Sequence, residues 1–122
     1  MASKRANRVR IAITTIGTGN FGAGAAVTGY ADLEDGGLND GDPITYVAED
    51  ASRTQWEVAR GTVTNSRTEI TRDEILMSSN ANSIVDFLST PELFVDLVKE
   101  DVDEIIDELK SHAVAMAAAF GS

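Results

Sequence analysis

Gly17, Gly19 and Gly22 stand in a Gly-x-Gly-x-x-Gly pattern after a β-branched run. Backbone amides in such a loop can receive a pyrophosphate, provided that a helix follows. Here the glycine and alanine run ends in Val27, Thr28, Gly29 and Tyr30, a poor crossover helix, and the later segments alternate as antiparallel strands do. A glycine-rich hairpin is the expectation. Asp32, Glu34, Asp35, Asp40 and Asp42 crowd one loop and could offer carboxylates to calcium. Their spacing does not match the helix-loop-helix calcium pattern, and a solvated acidic turn is expected instead. His112 is the only histidine, and no serine, cysteine or second histidine is positioned to make a catalytic pair with it. It is read as a packed or oligomer-facing residue, whose protonation below about pH 6 would loosen contacts between copies. Glu49, Asp50 and Glu57 could supply an acid and a base; turn and edge-strand charges are the plainer account. Trp56, with Tyr46 expected beside it on a neighbouring strand, is read as a core anchor, although exposed rings could stack on a sugar. The sequence thus predicts no catalytic residue, no cofactor and no metal site: the protein is expected not to be an enzyme.

The elements that carry these residues fit one domain of 122 residues. The formal net charge is −10, unevenly spread: residues 1–10 hold Lys4, Arg5, Arg8 and Arg10 and no acid, while the remainder sums to −14. An acidic body argues against nucleic acid as a partner, because a phosphate backbone would be repelled. The basic arm is expected to dock on an acidic neighbour, or else to be a solvated terminus. With no cysteine, disulfides and thiolate metal sites are excluded. No apolar run is long enough to span a bilayer, and a soluble product of the cytoplasm is the simplest expectation.

Along the chain, residues 9–16 alternate Val9, Ile11 and Ile13 on one face and predict a strand. Strand character is lost in the glycine-rich run after residue 17 and returns at Val27, Thr28 and Tyr30. Residues 31–43 read as a loop. Residues 44–49 and 55–60 predict strands about a turn at 51–54, with Trp56 and Val58 on one face and Glu57 and Ala59 on the other. Gly61 predicts a bend or bulge, and Asn65 and Ser66 a turn into residues 68–72. Segments 75–81 and 83–88 follow. Residues 93–97 suit either a strand or the start of a helix, and a closing strand is preferred. This spacing predicts a mainly β fold: a small antiparallel β-sandwich or barrel.

A C-terminal helix is expected over residues 99–120, with Glu100, Asp101, Asp103 and Glu104 near its positive end. Val98, Val102, Ile105, Leu109, Met116 and Ala119 recur at four-three spacing, with His112 filling the gap, while Ile106 and Ala113 widen the stripe. A short helix ending in alanines is marginal alone and must pack on its own domain or on copies of itself. The domain plan is therefore a basic arm (1–10), an antiparallel β domain (11–98) and an amphipathic helix (99–120).

From Ile13 to about Asp101 the chain resembles a small β-module found in tailed-phage structural proteins and phage-like gene transfer particles. The matching phrases are residues 14–19, 26–30 and 40–46, then Glu49-Asp50, residues 56–62 and Ser78-Ser79-Asn80. The resemblance implies a virion part: a head decoration, head spike or tail-fibre component, synthesised in the host cytoplasm. It also implies an apolar closing strand before an acidic step, here Glu100-Asp101. The basic arm and the helix beyond Asp103 lie outside the resemblance, and residues 65–69 are more charged than the usual hairpin there.

The leading expectation is thus a virion structural protein that self-associates, most simply as a trimer, and docks on the major capsid protein or another virion protein. Val102, Ile105, Leu109, His112 and Met116 are the expected oligomer contacts; Lys4, Arg5, Arg8 and Arg10 are the expected docking residues. Two rivals remain open: a carbohydrate-binding receptor module of a tail fibre built on Trp56 and Tyr46, and a small nucleotide-dependent enzyme using residues 17–22.

Overall fold

A computed structural model describes residue 4, residues 6–96 and the helix backbone over 99–119, with helix side chains from 101 to 111. Seven strands and one helix follow in order: β1 (Arg10–Ile13), β2 (Phe21–Ala26), β3 (Pro43–Glu49), β4 (Trp56–Thr64), β5 (Glu69–Ile70), β6 (Glu74–Ser78), β7 (Glu92–Val95) and α1 (Lys99–Ala119). All pairings between these strands are antiparallel. They run β3-β7-β1-β2-β5-β4, and β4 returns to β3, so the sheet closes on itself. The mainly β fold with a C-terminal helix is therefore a small antiparallel barrel.

β4 makes the closure. One of its edges pairs with all of β3, from Pro43↔Thr62 to Glu49↔Trp56. Its other edge pairs with β6 over residues 57–60 and with β5 at Val63 and Thr64. Closure removes most of the unpaired backbone that an open sheet would leave at its edges.

Strict alternation builds the interior. Ile11 and Ile13 of β1, Ile44, Tyr46 and Ala48 of β3, and Leu93 of β7 are buried. In β4 the buried set is Glu57, Ala59, Gly61 and Val63. Phe21 packs edge-on against Tyr46 at 5.6 Å between ring centroids and tilted against Phe87 at 5.9 Å. Leu33 and Leu38 are also buried, so the acidic loop folds over the core rather than standing off in water. Its carboxylates shape turns: Asp32 accepts from the Asp35 amide, and Asp42 from the Asn39 amide. Asp40 reaches the amides of Ser66 and Arg67, within three consecutive left-handed residues at 65–67. Successive amides turned this way form an anion-binding concavity, and Asp40 fills it.

Several local expectations give way. The strand expected over residues 27–30 is a turn, closed by the Tyr30 amide on the Val27 carbonyl with Gly29 at positive φ. The strand lies earlier, in the Gly/Ala run itself. There β1 comes so close that a Cβ on Gly24 would sit 2.7 Å from the Ala12 carbonyl oxygen. Close approach, rather than propensity, sets that composition. Gly61 introduces no bend; β4 runs through it, and a side chain there would overlap the Thr71 carbonyl. Residues 83–88 join no named strand, although Val85 and Phe87 are buried and Gly17 bridges Phe87.

Candidate self-association surface and buried polar core

Glu57 is the most consequential residue that the sequence reading misplaced. The strand alternation put it opposite Trp56 correctly, but the inward face is that of Glu57. Its carboxylate is 0% exposed. The Tyr46 hydroxyl donates to Glu57 Oε2 at 2.6 Å, Arg72 Nε donates to the same oxygen at 3.0 Å, and Arg72 Nη2 donates to Oε1. The Val85 amide donates to Oε1 at 3.2 Å. Arg72 also binds the carbonyls of Gly17, Gly19 and Val85 and lies 4.5 Å over the Phe21 ring. Burial, together with the neighbouring Glu57 charge, pushes the Tyr46 hydroxyl well above the ordinary tyrosine range.

This network pins the 17–19 and 83–88 segments to the barrel wall. It also ties down the Gly-x-Gly-x-x-Gly loop: the Gly17 and Gly19 carbonyls face a guanidinium, and an antiparallel strand follows where a nucleotide site would need a helix. Glu57 cannot pair with Glu49 as acid and base, because the two point to opposite faces of the wall. Trp56 is not a core anchor; it is half-buried on the outer face and stands opposite Glu49, away from the buried Tyr46. Among the described residues no cluster of three or more His, Cys, Asp or Glu could hold a metal ion.

The basic arm folds onto its own chain. Lys4 pairs with Asp42 at 3.1 Å. Arg8 donates to the Gly29 carbonyl and lies over the Tyr30 ring. Arg10 belongs to β1 and bridges Glu92 and Glu49 across β7 and β3, which holds its charge more firmly than usual despite partial burial. Val9 is buried in the core, so the folded body takes in residues assigned to the arm. Arg5 lies outside the described residues.

α1 is clamped by its first turn. Asp101, 2% exposed, accepts from Thr45 Oγ1 at 3.0 Å and from Arg60 Nη2 at 3.1 Å; the same Arg60 nitrogen donates to Glu104 at 3.1 Å. Thr45 and Arg60 are opposite one another on β3 and β4, on the outer face. Past the clamp the side chains turn to water. Val102 and Ile106 are exposed, Leu109 is 62% exposed, and Ile105 is half-buried. From residue 106 to residue 111 every side chain is exposed. Of the expected oligomer contacts, Val102, Ile105 and Leu109 therefore leave the barrel along the helix. His112 and Met116 lie on its backbone, with side chains outside the described residues. The sequence reading did not foresee the clamp, because Arg60 and Asp101 are 41 residues apart and nothing local pairs them.

A second outward feature escaped the sequence reading. Phe94 of β7 faces Val47 of β3, Val47 faces Val58 of β4, and Val58 faces Met77 of β6. These four make one apolar row across the outer wall. Only the register reveals it, since the residues come from four separate segments. A mixed-charge cleft of about 250 Å³, lined by Arg10, Glu49, Asp50, Arg53, Thr90 and Glu92, lies nearby on the same side of the wall. Arg10 bridges Glu49 and Glu92 there, and Ser52, Thr54 and the Gln55 amide hold Asp50.

Comparison with protein-family models, with curated proteins and with solved structures finds no match.

Proposed function

We propose that this is a non-enzymatic structural protein of a virion or phage-like particle, a barrel module that self-associates through α1. One observation carries the reading: among the described side chains of α1, residues 101–111, Asp101 and Glu104 hold the helix to the barrel while Val102, Ile106 and Leu109 face water. An isolated helix of the length of α1 is marginal, and a broad apolar stripe at helical spacing is stable only when covered. Copies of the same helix offer a matching stripe, and a symmetric bundle, a trimer by preference, satisfies all of them at once. The resemblance over residues 13–101 supplies the virion context. Docking on capsid then falls to the basic side of the barrel, where Arg8 meets no acid among the described residues.

Light scattering on the purified chain tests the self-association, and a trimer mass is expected. A monomer at all concentrations would end this reading. The virion assignment is tested separately by the neighbouring open reading frames and by co-sedimentation with shells of the capsid protein encoded there. Absence of both head and tail genes from the neighbourhood would count against it. The carbohydrate reading loses its paired platform, because Tyr46 is buried and Trp56 stands on the other face.

A further inference from the structure

Antiparallel walls that face water carry polar residues on the outward positions. In this barrel the rows on either side of the apolar one carry charges, although Thr45 in one is buried beneath α1 and Trp56 ends the other. One is Thr45, Arg60 and Glu74; the other is Glu92, Glu49 and Trp56. The row of Phe94, Val47, Val58 and Met77 between them is apolar: Met77 is 55% exposed, the other three are half-buried, and the Arg10 guanidinium lies 5.0 Å over the Phe94 ring at one end.

We infer that this row is covered by a second copy of the chain, so that the interface continues from the α1 stripe onto the barrel wall. The inference rests on the self-association proposed above. Its first ground is attachment. Thr45 and Arg60, which hold Asp101 of α1, stand two residues from Val47 and Val58 on the same strands and the same face. Two residues along a strand is about 7 Å. Helices that bundle therefore draw these faces of their barrels together. The second ground is charge. A chain of net charge −10 repels its copies over most of its surface, and an apolar strip is where two barrels approach at least cost. At the Phe94 end of the strip, Arg10 balances one of the two charges of Glu49 and Glu92 on its own chain.

Trp56, the only tryptophan, is outward on β4 two residues from Val58 and half-buried. It reports on the strip without labelling. Dilution of the intact protein is followed by sedimentation mass and by Trp56 emission. The expected result is a fall in mass and a red shift with a common midpoint. Met77→Glu, at an exposed position that leaves the fold intact by circular dichroism, should weaken association by about tenfold or more, the equivalent of roughly 1.4 kcal/mol. Val58→Arg should do the same and abolish the emission change. If mass falls on dilution while emission stays constant, or if Met77→Glu associates like the parent, the helices alone join the copies and the inference is overturned. A monomer throughout would overturn the self-association reading itself, and the inference with it.

Discussion

Burying Glu57 takes a carboxylate out of water, at a cost of several kcal/mol unless partners replace its hydration. Tyr46, Arg72 and the Val85 amide are those partners. Glu57→Ala should therefore destabilise the barrel by about 3–5 kcal/mol in urea unfolding, by leaving Arg72 charged and unpaired. Replacing both charges with apolar residues often restores such losses, but the Glu57→Leu, Arg72→Met pair should stay well below the parent. Val85 would lose the partners of both its amide and its carbonyl, at about 1–3 kcal/mol for each buried group. Full recovery in the double variant would show that the network is a simple ion pair and not a fastening for the 83–88 segment. Asp50 gives a pH test. Burial alone would raise its pKa, but hydrogen bonds from the Gln55 amide, Ser52 and Thr54 outweigh it and hold the carboxylate below the usual value. A depressed carboxylate contributes stability above its unfolded pKa and loses it as pH falls through the folded one. Asp50→Asn should thus lower Tm at neutral pH, and the gap to the parent should close below about pH 4. A gap independent of pH would mean that the turn depends on shape alone.

Among the elements, α1 depends most on contacts distant in sequence. Its acids at the first turn suit the helix dipole, but Arg60 and Thr45 decide where it begins and which way it leaves. Replacing both Ile106 and Leu109 with Asp should give a monomer by light scattering without loss of β-sheet signal, because these side chains touch little of the barrel. An unchanged oligomer mass would place self-association elsewhere. Of residues 93–97, which sequence alone leaves between strand and helix, 93–95 belong to the closing strand β7, while 96 lies beyond it and 97 lies outside the described residues. β7 fits because Leu93 must enter the core between Ile11 and Ala48.

For the whole molecule, the charge asymmetry between arm and body reads differently once folded. Lys4 and Arg10 find acids on the same chain, and Val9 is core, so deleting residues 1–10 would unfold the barrel instead of testing docking. Reversing Lys4 and Arg8 to Glu is the cleaner experiment. Capsid binding by this variant should fall more at low salt than at high salt, because exposed charges are screened beyond about 10 Å at 0.1 M. Equal binding at both salts would remove the basic side as a docking surface.

Alternation along β1, β3 and β4, the turn between β3 and β4 and the terminal acidic helix were legible in the linear chain, because each depends on neighbours a few positions away. Periodicity sorted Glu57 from Trp56 but could not say which face was inside. Trp56 has the larger apolar surface, and a lone glutamate ordinarily faces water. Closure decided the matter: it placed Tyr46 and Arg72 where they meet the carboxylate, from 11 residues before and 15 after. The α1 clamp and the Phe94–Val47–Val58–Met77 row arose in the same way. Each joins residues from separate strands, and only the pairing register of a closed sheet fixes which of them stand side by side.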